Sequence, residues 1–162
     1  MPLPIHLTLE GKNQGAIEGS CDMEGRESTI LVYAMDHGVH IPRDPQSGQP
    51  SGKRIHGPLT IVKEVDKSSP KLYQALCTGE NLSPVVLKWY RIDPKVGQEE
   101  HYFTTELQDA IVVEMKPYFP MAFVPDNEPY RHMEELSLTY KKIIWTWEAD
   151  GIASEDAWAV PK

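Results

Sequence analysis

The chain has 162 residues and a formal charge of −8 at neutral pH, from 24 acidic against 16 basic side chains. That balance argues against a broad nucleic-acid-binding face, which needs clustered Lys and Arg, and against docking on anionic lipid. The length suits a single domain, 1–162, that buries a core without crosslinks, and two cysteines make no disulfide framework.

The first ten residues, MPLPIHLTLE, alternate too regularly for a signal peptide, and no apolar run approaches the roughly 18 residues of a membrane span. Ile5, Leu7 and Leu9 alternate with His6, Thr8 and Glu10, the period of a half-buried strand. Residues 11–25 read as turns, with a short strand near Ala16 and Ile17. Residues 29–37 form the next strand. Ile30, Val32 and Ala34 lie on one side and Leu31, Tyr33 and Met35 on the other, which predicts cover on both faces.

Periodicity then stops. Residues 38–57 hold three prolines and four glycines. A patternless run of about twenty residues inside a compact domain is functional or disordered. Its apolar Val39, Ile41 and Ile55 favour docking over a floppy loop. Residues 59–65 return to a strand, whose apolar side is interrupted by Lys63.

The helix of the chain is predicted over 69–79. Ser69 is expected to cap it, Pro70 to take the first helical position and Gly79 to end it in a left-handed conformation. Leu72 and Leu76, with Tyr73 and Cys77, give it an apolar side, so Cys77 is expected as a small buried hydrophobe.

Residues 85–92 are a strand and 93–97 a Pro- and Gly-built turn. Residues 101–115 read as one long strand bent near Asp109 and Ala110. Residues 116–132 carry four prolines with aromatics between them and read as a surface loop that folds onto the core or meets a partner. Residues 134–148 read as a last long strand with a β-bulge at Lys141 and Lys142. The tail, 150–162, has Trp158 as its large anchor. The sum is about seven strands and one helix, a β-barrel or β-sandwich with the helix packed on it.

Chemistry is sparse. No phosphate-cradling, dinucleotide, nucleophile-elbow or zinc-protease motif occurs. His37, His40 and His56 come nearest to a metal set, but their spacing fixes no geometry. The neighbouring acids Glu99 and Glu100, Glu134 and Glu135, and Asp126 and Glu128 read as solvated charge rather than as facing glycosidase acids. No catalytic residue, metal or cofactor is expected. The residues favour a scaffold or binding protein with an unusually long, partly apolar loop.

Several blocks in order carry a resemblance: DPQSGQPSGKRIHGPLTIVKEVDKSSPKLYQALCTGENL (44–82), LKWYR (87–91), EHYFTTEL (100–107) and LSLTYKKIIWTWEADG (136–151). Together they resemble the haemolysin-coregulated protein (Hcp) family of type VI secretion systems, over about residues 4–158. The resemblance implies a mainly β fold: a β-barrel of two packed sheets with one α-helix alongside, similar to phage tail-tube proteins. It further implies homohexameric rings that stack into a hollow tube, with the spike protein VgrG, the contractile sheath and baseplate, and effector proteins as partners. Neither nucleic acid nor membrane insertion is implied.

Such a chain would be made in the cytoplasm and then secreted by the type VI system without a signal peptide. The chain ends soon after the shared core, so no fused toxin is expected. On the same resemblance the 38–57 loop is the ring-stacking loop, through Val39, Ile41, Gln46, Ser47, Gly48, Gln49 and Ile55, and Asp36 is the candidate for the lumen. Two other readings predict different things. A monomeric carbohydrate-binding sandwich would expose Trp145, Trp147 or Trp158 as a platform, and a secreted hydrolase would need a pocket holding a perturbed acid or base.

Overall fold

A computed structural model describes residues 2–158. In chain order the strands are β1 Ile5–Gly11, β2 Gly15–Ile17, β3 Ile30–Asp36, β4 Val39–His40, β5 Ile55–His56 and β6 Leu59–Glu64. The helix α1, Ser69–Thr78, follows, then β7 Leu82–Ile92, β8 Glu99–Gln108, β9 Ile111–Tyr118, β10 Met133–Thr139, β11 Lys142–Trp147 and β12 Ile152–Ala157. The end of the expected tail, 159–162, lies outside the described residues.

Ten strands share one sheet in the order β12-β11-β8-β7-β1-β3-β6-β10-β9, with β2 on β1, while β4 and β5 pair only with each other. Every ladder is antiparallel. One core cluster draws Leu107 and Ile143 from one end of this sheet and Val112, Leu136 and Leu138 from the other. The sheet therefore wraps around its own core. The mainly β architecture with one helix is as the sequence implies, but the closed barrel is not: β9 and β12, the two ends, share no ladder, so two edges stay open.

Two long strands expected from the sequence are each two strands. Asp109, at φ 52°, turns the chain through the left-handed region, and β8 pairs with β7 and β11 while β9 pairs with β10. Residues 134–148 break at Tyr140–Lys141, where the chain leaves the β6–β10–β9 ladder for the β8–β11–β12 one. The corner is a change of partner, not a bulge. β3 is not covered on both faces: Ile30 and Val32 are buried, while Tyr33 is 50% exposed and Ala34, beyond a register shift, is exposed too.

In α1 the cap residue is Ser68, not Ser69, and no side chain bonds the free N–H groups of the first turn. Ser69 is the first helical residue and Pro70 the second, since the Ser69 hydroxyl is drawn inward by a buried ion pair. Gly79 ends the helix at φ 67°, its N–H reaching the Ala75 and Leu76 carbonyls. The buried stripe is Leu72 and Ala75, with Leu76 packed beside it. Five residues past Leu72 is about 140° around the helix, so Cys77 faces outward and is exposed. Cys21 is the buried cysteine.

Candidate assembly surfaces

The 38–57 segment is an ordered β-hairpin. Val39 pairs with His56 and His40 with Ile55 at its base, and Arg43 bridges Pro50 further out. Its tip is held by Asp44. The carboxylate accepts the Gln46 N–H at 3.0 Å and the Ser47 hydroxyl at 3.0 Å, while the Asp44 carbonyl accepts the Gly48 N–H at 2.8 Å. The Gln46 N–H, then the Ser47 hydroxyl, hold the Asp44 carboxyl below its usual range. Gly48 takes φ 74°, a conformation glycine adopts without strain. Gln46, Ser47, Gly48 and Gln49 therefore form the tip, and Val39, Ile41 and Ile55 stand exposed along the arms. Asp36 ends β3, exposed, opposite Thr60 in the ladder.

A hydrogen-bond chain seats the hairpin base on the last strand. His37 Nε2 and His56 Nδ1 each lie 2.7 Å from the Tyr140 hydroxyl, and His56 Nε2 lies 2.7 Å from Asp156 Oδ2. Arg54 donates from Nε to the same carboxylate oxygen at 2.5 Å and from Nη2 to the Ala157 carbonyl at 2.9 Å. The carboxylate only accepts, so His56 donates to it from Nε2. The Tyr140 hydroxyl joins His56 Nδ1 to His37 Nε2. Burial, then the Asp156 charge, pushes the Tyr140 hydroxyl far up, so it stays protonated. Burial, then His56, pushes the His37 imidazole down. Trp158 stacks on His56 with ring centroids 5.5 Å apart.

A second buried network corrects one expectation: Glu134 is not solvated. Lys63 stands on the apolar side of β6 with Leu59 and Ile61, and both it and Glu134 are fully buried. Lys63 Nζ lies 2.5 Å from Glu134 Oε1 and 3.1 Å from Asp66 Oδ1, and it donates to the Glu64 carbonyl at 2.9 Å. The Ser69 hydroxyl donates to Glu134 Oε1 at 2.6 Å and accepts the Asp66 N–H at 3.1 Å. The pair thus ties β6, β10 and the start of α1 together.

The remaining surface is apolar in places. On the open edge strands, Ile111 and Val113 of β9 and Ile152 of β12 are exposed. At the end of β6 the 119–132 segment walls a cleft of about 810 Å³, lined by Val65, Phe119, Phe123 and Tyr130 with Glu64 and Glu128. This segment, ambiguous in the sequence, does not fold onto the core: Phe123 is 84% exposed. A hollow of about 540 Å³ opens beside Tyr33, Met35, Trp89 and Tyr102.

Glu99 pairs with Arg26 at 2.7 Å and Glu100 with Arg91 at 2.6 Å. Trp145 packs against the core, and the Arg91 guanidinium lies 5.2 Å from the Trp147 ring, so neither offers a sugar platform. Among the described residues, no three His, Cys, Asp or Glu side chains are grouped to hold a metal, and no helix is long and apolar enough to cross a membrane. His37 and His56 are engaged with Tyr140, and His40 stands apart and exposed.

These features define a class: a mainly β protein whose single wrapped sheet keeps both edges open and carries one helix and one long ordered hairpin. Residues 6–147 match the family model described as the type VI secretion system effector Hcp, and the chain belongs to that family. It is 42% identical to the "Major exported protein" of Pseudomonas aeruginosa, over 99% of this chain and 98% of that one. Among solved structures it is similar to a double mutant of the Hcp1 protein of E. coli EAEC 042, at 38% identity and a TM-score of 0.85. That match covers 96% of this chain and 99% of that one. It is also similar to the secreted protein Hcp3 of Pseudomonas aeruginosa, at 34% identity and a TM-score of 0.79, covering 97% and 99%.

Proposed function

We propose that this chain is a structural subunit of the type VI secretion tube, forming hexameric rings that stack into a hollow, exported tube. The observation that carries the reading is the sheet left open at β9 and β12, both edges bearing exposed apolar side chains. Open edges are an aggregation hazard in a monomer. Two different edges pair head-to-tail and close into a ring when the rotation per subunit divides a full turn. Obligate interfaces of this kind commonly bury more than about 2,000 Å² in total, enough to overcome repulsion between subunits that each carry −8.

Within the ring, Asp36 and the uncovered face of β3 supply the lumen wall, against which effector proteins are carried. The 38–57 hairpin makes the contact between rings, through Val39, Ile41 and Ile55 and the tip residues 46–49. VgrG, sheath and baseplate are the partners of the assembled tube. The name of the exported Pseudomonas relative supports secretion of this chain too. The role is mechanical, without catalysis. Native mass spectrometry at micromolar concentration tests it: a six-fold multiple of 18.3 kDa is expected. A monomer at every concentration and salt would overturn it.

A further inference from the structure

We infer that the aromatic cleft walled by residues 119–132 is the receptor for the 38–57 hairpin of a second copy of this chain. The inference rests on the stacked-tube reading and names the surface that receives the hairpin.

The first argument is placement. Asp36 pairs with Thr60, so the hairpin leaves the sheet where β6 begins. Glu64 pairs with Met133, which pairs with Tyr118, and the Val65 N–H bonds the His132 carbonyl at 3.0 Å. The cleft therefore sits where β6 ends. Hairpin and cleft are rooted at opposite ends of one strand, roughly 17 Å apart at about 3.4 Å per residue. No hairpin residue lines the cleft of its own chain. Two unlike, unsatisfied surfaces at opposite ends of a subunit fit a head-to-tail contact.

The second argument is chemistry. The hairpin presents Pro42, Pro45 and Pro50 with exposed Ile41, and proline rings dock well in aromatic-lined grooves. The cleft offers Phe119, Phe123 and Tyr130.

The third is charge. In a chain of net −8, residues 38–57 hold three basic side chains against one acid, and that acid, Asp44, is occupied in its own turn. Arg54 is held by Asp156, but Arg43 and Lys53 are exposed; the cleft is lined by Glu64, which Arg131 pairs at 3.2 Å, and by Glu128. The contact brings the hairpin's exposed cations to Glu128 where the bulk of each subunit repels.

The test uses full-length protein with Cys77→Ser, so that the buried Cys21 is the remaining native thiol. Hexamers carrying Gln46→Cys and hexamers carrying Phe123→Cys are prepared separately, mixed, and treated with a short bismaleimide. A covalent dimer is expected in the mixture and not in either preparation alone. Dimers from the Gln46→Cys hexamers alone would indicate tip-to-tip contact and overturn the inference. So would stacked tubes, visible by electron microscopy, that yield no mixed dimer. As a second variant, Phe123→Asp is expected to abolish stacking and keep the hexamer mass, and unaltered stacking would overturn the inference. If the unmodified protein is only monomeric, the tube reading itself fails and this inference falls with it.

Discussion

Replacing Lys63 by Met tests whether the buried ion pair organises the β6–α1 corner. The change keeps an unbranched apolar stem one atom shorter and removes the charge. Glu134 would then stand fully buried, keeping the Ser69 hydroxyl and losing the ammonium 2.5 Å away. Removing one partner of a buried pair costs about 3–5 kcal/mol, because the other is left charged in a dry site. For a chain of this length each kcal/mol lowers Tm by about 2–4 °C, so a drop of about 6–20 °C is expected. Denaturant titration and thermal unfolding at fixed protein concentration read both quantities, concentration being held because assembly adds to apparent stability. The double variant Lys63→Met with Glu134→Leu removes both charges and should recover most of the loss. A single-variant cost below about 1 kcal/mol, the value of an exposed pair, would refute the reasoning, since Lys63 would then be reaching water.

Tyr140→Phe removes the hydroxyl that joins His37 to His56 and should cost about 1–3 kcal/mol for the buried groups left without a partner. Faster amide exchange in 38–57 is its signature, and unchanged protection would contradict the seating role. Acidification should destabilise the fold. His6, His37 and His101 are all held below their ordinary 6.5, each chiefly by burial. The unfolded chain therefore binds more protons, so their contribution is complete above about pH 6.5 and is lost as pH falls through the lower folded values. A denaturation midpoint that is flat or rises from pH 7.5 to 5 would contradict this. Gly19→Ala would set a methyl 2.4 Å from the Thr29 carbonyl oxygen and 2.8 Å from the Ile30 Cα. Overpacking against backbone costs about 1–3 kcal/mol, and an unchanged Tm would show that the β2–β3 connection yields freely.

Local pattern revealed most strands and the helix. Alternation located β1 and β6, a run apolar on both sides located β3, and Gly79 marked the end of α1. What it left hidden depends on pairing between distant positions. Nothing in residues 101–115 announces that β8 and β9 belong to different ladders; the left-handed turn at Asp109 decides that, and any residue type changes strand partners unremarked. Ser69 looked like a cap because Ser-Pro is a good helix start, but Glu134, 65 residues away, competes for its hydroxyl. Lys63 and Glu134 each looked wrong for a core, and only the β6–β10 register shows that they neutralise one another. The hairpin seat was equally out of reach: His56 meets Tyr140 and Asp156 across 84 and 100 residues. The apolar Val39, Ile41 and Ile55 did distinguish the 38–57 segment from a floppy loop, although its prolines and glycines hid the ladder.

Pro117 lies within β9, on the outermost strand of the sheet. Proline is accepted in an edge strand where its missing N–H would have faced solvent. A strand added along that edge would find no donor at Pro117, the next-to-last residue of β9. β12, the opposite edge, is six residues long and holds no proline. The two edges therefore differ in what they offer a neighbouring strand, and the missing donor at Pro117 weakens pairing at that end of β9.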